Sequence, residues 1–281
     1  MKKACIIGWP VAHSRSPLIH GYWLRRYGIE GDYVRMPVEP EHLPQFVKAM
    51  PSLGFCGGNV TVPHKETVFR MADGRDEAAT AIGAANTIWF EDGRLCVSNT
   101  DAHGFLASLD DQTPEWDAAA GVASLWGAGG AARAVIHALI GRGFERIVLA
   151  NRSRERAEAL AVEFGPAVLV AGWDERAEAL RGCSLLVNAT SLGMTGSPPL
   201  EADLSALPGN AVVTDLVYDP LETALLSAAR ARGNRVADGL GMLLHQAVPG
   251  FKRWFGIRPE VTAELRRIVT GDLIAKAGAA P

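Results

Sequence analysis

The stretch SLWGAGGAARA (124–134) decides the fold. It reads as an apolar strand, a loop G-A-G-G-A-A and the start of an amphipathic helix. In that order Gly127 permits the tight turn, Gly129 lets the backbone approach a pyrophosphate, and Ala132 permits close helix–strand packing. The helix N-terminus then offers unpaired N–H groups to phosphates. A glycine-rich turn alone is weak, since many α/β connections have one. The strand–loop–helix context makes it a dinucleotide signature.

The next strand sharpens the reading. RIVLA (146–150) ends in Asn151-Arg152-Ser153, with Arg154 and Arg156 close behind. An NAD site would place Asp or Glu at this strand end to hold the ribose 2′-hydroxyl. Here the acid is absent and a cluster of cations replaces it. A guanidinium binds phosphate oxygens bidentately and stacks on adenine, so a 2′-phosphate is the natural partner. The plainer alternative is an exposed helix start with salt links to Glu155 and Glu158. Arginines are poor choices at a helix N-terminus, which favours NADP over NAD.

Further out, β-rich runs (ACIIGW, DYVRMPV, GNVTV, SLLVNAT, AVVTDLVY, NRVAD) alternate with helical patterns such as ARAVIHALIGRG and ETALLSAARARG. Such alternation predicts an α/β protein of parallel sheets with covering helices. One section breaks it: ANTIWFEDGRLCVSNTD (85–101) has two extended runs around Asp92-Gly93, a hairpin signal that makes the first sheet mixed. The polar segment 111–121 suits a boundary before the Rossmann-type unit. The helical end from Gly239 has no strand to follow and is expected to fold back on the first domain. The expected division is 1–103 with 240–281, and 104–239. The last residues, 275–281, read as a frayed end.

The totals bound the function. The chain has 281 residues, is 48% hydrophobic and 21% charged, and carries 28 Lys plus Arg against 31 Asp plus Glu, a formal charge of −3. No basic run offers itself to nucleic acid or to a membrane surface, and no apolar run approaches a membrane span. The first residues, MKKACIIGWPV, are too short an apolar stretch for a signal peptide and read as a buried strand. The four cysteines, Cys5, Cys56, Cys96 and Cys183, are widely spaced. They read as reduced thiols of a cytoplasmic protein, with neither a disulfide framework nor a metal site.

Polar residues gather after the apolar strands of the first domain. In NVTVPHK (59–65), Asn59 and Thr61 project to one face by alternation, Pro63 suits the first position of a helix, and Lys65 falls in its first turn. A lysine is unfavourable beside the positive end of a helix dipole, so something other than folding selects it. Ser14 and Ser16 follow the first strand, where their commoner job is helix capping. Asn86 opens one arm of the hairpin and Asp101 ends the other, both open to a turn or cap role. His20 and His64 read as structural.

Nine ordered motifs run the length of the chain: PVAHSRSPLIH (10–20), GGNVTVPHK (57–65), GAANT (83–87), SNTDAHGF (98–105), GAGGAARA (127–134), NRS (151–153), NATSLGM (188–194), DLVYDPLETALL (215–226) and DGLGMLLHQA (238–247). The sequence resembles the shikimate dehydrogenase family from end to end. The resemblance implies reversible, NADP-dependent reduction of 3-dehydroshikimate to shikimate in aromatic biosynthesis. By motif, Ser14 and Ser16 resemble the pair that binds the substrate carboxylate. Asn59, Thr61, Asn86, Tyr218 and Gln246 resemble further substrate contacts, and Lys65 and Asp101 the catalytic pair. Gly127, Ala128, Gly129, Gly130, Ala131, Asn151, Arg152, Ser153, Arg156, Leu216 and Gly239 match cofactor positions, and Glu77 a minor one. A monomer or homodimer binding no metal is expected.

Lys65 would donate a proton in reduction and accept it in oxidation, with Asp101 holding the ammonium. Arg15 lies between the serines, but alternation points it away from them. Crossings near 101–104 and 238–241 imply a hinged cleft that closes over the substrate. One rival is a quinate/shikimate dehydrogenase paralogue. Quinate users in the family tend to have threonine at the second serine and an acid at the strand end, so Ser16 and Asn151 count against it. The other is a non-catalytic NADP-binding protein, disfavoured by Lys65 and Asp101. Gly21 and His245 depart from the family pattern and bear on substrate preference.

Overall fold

A computed structural model describes residues 1–118 and 120–277. Residues 278–281, most of the end expected to fray, lie outside that description. The chain divides into two compact units, Met1–Asp101 with Gln246–Gly271, and Ala102–His245 with the chain from Asp272 on.

The first unit is built on a six-stranded mixed sheet. Its elements in chain order are β1 (Lys2–Gly8), α1 (Ser16–Arg26), β2 (Gly31–Pro37), α2 (Leu43–Ala49), β3 (Phe55–Val60), α3 (Lys65–Met71), β4 (Gly74–Arg75), α4 (Glu77–Ile82), β5 (Thr87–Glu91) and β6 (Arg94–Ser98). The sheet order is β2-β1-β3-β5-β6-β4. The β1–β2 and β1–β3 pairs are parallel, while β3–β5 and β5–β6 are antiparallel. Glu91 pairs with Arg94 across the hairpin. Asp92 and Gly93 between them have φ of 50° and 76°, the two positive values of a primed two-residue turn. Ile7, Leu43, Met50, Val60, Ile88 and Val97 lie in this unit's core.

The second unit holds α5 (Asp101–Gln112), β7 (Val122–Trp126), α6 (Gly130–Gly141), β8 (Arg146–Ala150), α7 (Arg154–Phe164), β9 (Val168–Ala171), β10 (Leu185–Asn188), β11 (Val212–Asp215), α8 (Ala224–Ala231) and β12 (Arg235–Ala237), although the first residue of α5 belongs to the first unit. The sheet order is β12-β11-β10-β7-β8-β9, with every pair parallel. Counted from β7, that is the doubly wound order 3-2-1-4-5-6, which reverses between β7 and β10. β9 is not among the runs read from the sequence: four residues at a sheet edge, with Leu169 exposed, carry too little periodicity. Trp126, Leu186, Val213 and Leu225 lie in its core.

Helices α9 (Gly239–Phe255) and α10 (Ala263–Ala277) close the chain. From Gln246 to Gly271 they belong to the first unit. Trp254 Nε1 donates to Ile88 O at 2.9 Å and Trp23 Nε1 to Glu260 O at 2.9 Å, while Tyr22 donates to Glu264 Oε2 at 2.8 Å. Among the described residues no helix is long and apolar enough to cross a membrane.

Pro63 does not take the first helical position that its sequence setting predicts. It sits in the turn ahead of α3, and Lys65 itself is the first residue of that helix. The two histidines are structural, as read. His64 Nε2 lies 2.8 Å from Val38 O. His20 stacks on Tyr33 at 4.0 Å between ring centroids, with Trp23, Phe251 and Trp254 around it. Burial lowers the His20 imidazole from its ordinary 6.5 to about 3, because an apolar surround disfavours the charged form.

A lowered folded value means that the unfolded chain binds the proton first. His20 therefore contributes stability that is full above pH ~6.5 and is lost as pH falls toward 3. Between pH 7 and 5 this costs about 2 kcal/mol. Denaturant unfolding at the two pH values, on the wild type and on His20→Phe, should show this slope in the first and its loss in the second; equal slopes would refute the assignment.

Candidate active site

Asn86, between α4 and β5, is the most connected polar side chain of the first unit. Its Nδ2 donates to Asp101 Oδ1 at 2.8 Å, Thr100 Oγ1 at 3.0 Å and Gln246 Oε1 at 3.3 Å. Its Oδ1 accepts from Thr100 N at 2.9 Å and from Thr87 Oγ1 at 2.9 Å. One buried amide thus links β5, the start of α5 and the middle of α9. Thr100 Oγ1 adds a bond to Gln246 O at 2.8 Å.

Asp101 is 5% exposed and opens α5, where a carboxylate complements the helix dipole. Asn99 Oδ1 accepts from its N–H at 3.0 Å, and Asn99 Nδ2 donates to Ala84 O at 2.9 Å. Asp101 Oδ2 accepts from Lys65 Nζ. Lys65 is tied at its backbone as well, since its carbonyl accepts from Ala85 N at 3.0 Å. The lysine side chain stays 16% exposed, against 7% for the aspartate. Residues 36 apart in sequence are thereby joined, with the acid fixed on both oxygens and the ammonium reachable from outside.

Asn59, near the end of β3, is buried in the same network. Its Nδ2 donates to Asn86 O at 3.2 Å and its Oδ1 accepts from Tyr33 at 2.6 Å. Burial holds the Tyr33 phenol well above its ordinary value, with Asn59 and Ser16 as hydrogen-bond neighbours. Thr61 lies one residue beyond β3 and its hydroxyl makes no hydrogen bond among the described residues. Ser14 Oγ accepts from Ser16 N, the first N–H of α1, at 3.3 Å and bonds Ser16 Oγ at 3.2 Å, while Arg15 in the cap position has no side-chain cap of its own. Arg15 is buried and donates to His13 O at 2.6 Å, which agrees with its turning from the pair. Sequence reasoning does not single out Tyr33 or Thr87. The alternation of β2 marks Tyr33 as facing one way, but not what it faces.

In the second unit, Gly127 has φ of 107°, and a Cβ there would lie 2.9 Å from Ala189 C. A side chain is excluded both by conformation and by space. Around Gly129 a Cβ would meet nothing within 4 Å, so this face of the loop is open where a pyrophosphate would lie. Gly130 and Ala131 begin α6. Ala128 N donates to Asn151 Oδ1 at 3.1 Å, and Asn151 Nδ2 to Ser153 O at 2.8 Å, tying the loop to the end of β8. The cation cluster divides: Arg154 pairs with Glu158 at 2.8 Å and Ser153 donates to Glu155 at 2.8 Å, while Arg152 and Arg156 are exposed with no side-chain partner among the described residues. Two arginines left over at the strand end fit an adenine-ribose 2′-phosphate.

Leu216 and Gly239 are held by neighbouring constraints. Leu216 N donates to Asn188 O at 2.9 Å. Asp215, fully buried, accepts from Asn188 Nδ2 at 2.8 Å, Val217 N at 3.0 Å and Thr223 Oγ1 at 2.8 Å. Burial raises its carboxyl, against the pull of those donors. A Cβ on Gly239 would lie 2.4 Å from Leu216 O, so that residue must be glycine. Tyr218 is half-buried beyond β11, and His245 Nε2 lies 3.9 Å from Asp111 Oδ2. Glu77 begins α4 in the first unit, exposed, behind the cap Asp76.

Comparison with known proteins gives three family matches: a shikimate dehydrogenase substrate binding domain over residues 6–88, shikimate/quinate 5-dehydrogenase over 115–194, and a shikimate 5′-dehydrogenase C-terminal domain over 239–263. The shikimate dehydrogenase (NADP(+)) of Azorhizobium caulinodans is 56% identical over 276 residues, 98% of each chain. A solved shikimate 5-dehydrogenase of Thermus thermophilus, in complex with NADP(H) and shikimate, is 38% identical with TM-score 0.85, covering 95% of this chain and 100% of its own. A quinate dehydrogenase of Corynebacterium glutamicum in complex with NAD is 31% identical with TM-score 0.88, covering 96% and 100%.

Asn86→Ala leaves Asp101 Oδ1 short of a donor and Thr100 N without its acceptor. It should lose at least about 2 kcal/mol of stability in denaturant unfolding. A loss within experimental error would mean that solvent replaces the amide.

Proposed function

The chain belongs to the shikimate dehydrogenase family, and we propose that it reduces 3-dehydroshikimate to shikimate, reversibly and with NADPH, as a step toward the aromatic amino acids. The single observation that carries the reading is the Lys65–Asp101 pair fixed within the Asn86 network. Residues 1–103 and 240–281 are assigned to substrate, and 104–239 to the cofactor.

Reduction of a ring ketone needs a hydride, a proton and a rigid hold on the ring. Bound NADPH supplies the hydride and NADP accepts it in the reverse direction. Lys65 Nζ gives its proton to the ketone oxygen as alkoxide charge develops, and regains one from water. In oxidation the neutral amine takes the hydroxyl proton. Asp101 stays anionic throughout; it orients the ammonium and offers an acceptor to a ring hydroxyl. Ser14, Ser16, Asn59, Thr61, Asn86, Tyr218 and Gln246 bind and orient the substrate, with the serine hydroxyls on its carboxylate. Gly127 to Ala131 and Asn151 to Ser153 take the adenosine and pyrophosphate portions, together with Leu216 and Gly239. Arg152 and Arg156 carry the 2′-phosphate, and Glu77 has a minor part. Ser16 at the serine pair and Asn151 at the strand end favour shikimate and NADP over quinate and NAD.

A monomer or homodimer in the cytoplasm, with neither nucleic acid nor membrane as partner, completes the proposal. The four free cysteines suit a reducing compartment.

Two kinetic experiments test this reading. Lys65→Met should lower kcat by about a thousandfold with little change in NADP affinity; undiminished turnover would remove Lys65 from the chemistry. Arg152→Ala and Arg156→Ala should each raise KM for NADP about tenfold while leaving KM for NAD unchanged. Equal effects on both cofactors would place the 2′-phosphate elsewhere.

A further inference from the structure

The substrate carboxylate is assigned above to two neutral hydroxyls, and neutral donors alone leave its charge uncompensated. We propose that Arg35 supplies the missing positive charge, as a positioning residue that acts on the carboxylate subsite through Ser14. The inference rests on the reading that Ser14 and Ser16 take the carboxylate.

Arg35 lies two residues beyond Tyr33 on β2, so both side chains leave the same face of the strand. Tyr33 reaches the Asn59 amide and neighbours Ser16. Arg35 reaches Ser14: its Nε and Nη2 both donate to the Ser14 carbonyl, at 3.0 and 2.5 Å. This grip does two things. It fixes the peptide from which the Ser14 hydroxyl projects, beside Ser16 Oγ at 3.2 Å. It also places the guanidinium charge against the Ser14 carbonyl, one residue's length from that hydroxyl.

No carboxylate pairs with Arg35 among the described residues, so its charge is not spent inside the protein. Arg15, the arginine between the serines, is buried and turned onto His13 O instead. Arg35 is exposed, and a charge in that setting acts through a field that salt screens. The specificity that follows is for a ring acid bearing one anionic carboxylate.

The test uses the full-length enzyme with shikimate and NADP. Arg35→Met should raise KM for shikimate about 5- to 20-fold, with kcat and KM for NADP little changed. Arg35→Lys, which keeps the charge but not the two-pronged grip, should return KM to within about threefold of wild type. Raising KCl from about 20 to about 500 mM should increase the wild-type KM for shikimate and have much less effect on Arg35→Met. A Met variant with unchanged KM, a Lys variant no better than Met, or identical salt profiles would each overturn the proposal. If Arg35→Met does not fold, Arg35→Gln replaces it under the same criteria. Ser14→Ala and Ser16→Ala separate the two readings. If they raise KM while loss of Arg35 does not, only the role of Arg35 falls; if none of the three does, the carboxylate assignment falls too.

Discussion

The buried amide of Asn86 is the constraint on which the first unit's polar site depends. A primary amide has two donors and an acceptor with two lone pairs, and here both ends are committed to Asp101, Thr100, Thr87 and Gln246. Because an unsatisfied buried polar group costs more than a made bond returns, the arrangement is close to all-or-none. Shifting the start of α5 or the middle of α9 would break several bonds together. Asp101 is therefore presented in one position, and Lys65, paired to its other oxygen, inherits that precision.

The second unit reaches similar definition mainly by exclusion. Gly127 and Gly239 stand where added atoms would collide with backbone, at Ala189 and Leu216 respectively. The close approach at Gly127 sets the end of β7 against that of β10, where the strand order reverses, and the one at Gly239 sets the chain after β12 against the end of β11. Open α/β sheets bind ligands outside the carboxyl ends of their strands at such a point. Asp215 reinforces the same place from beneath. Three donors converge on a fully buried carboxylate, and two of them, Asn188 and Val217, flank the backbone that carries Leu216.

The parts of this molecule legible in the sequence are the local ones. The 124–134 loop, the Asp92-Gly93 turn and the cation-bearing end of β8 are each read within a dozen residues, and turn and loop chemistry act at that range. Pro63 misleads because a proline suits a turn before a helix as well as its first position. Strand β9 escapes notice because four edge residues do not show a period. Tyr33 is hidden for another reason: its role depends on a partner 26 residues away, and no spacing rule spans that distance. The capping role open to Ser14 and Ser16 divides: Ser14 Oγ accepts the Ser16 N–H that opens α1, while Ser16 is itself the first residue of the helix.

The unequal exposure of Lys65 and Asp101 is itself informative about chemistry. A fully buried ion pair gains little stability after desolvation, and a fully exposed one holds no geometry. Here the carboxylate is buried and held by the Asn86 amide, while the ammonium keeps a path to water. That asymmetry suits the proposed proton transfer, in which the acid would stay fixed and the amine would regain a proton from water. Placing the lysine at the first residue of α3 costs the helix something, and its carbonyl bond to Ala85 N helps to hold the turn in place. A lysine poorly suited to that helix start is thus held from both its backbone and its side chain.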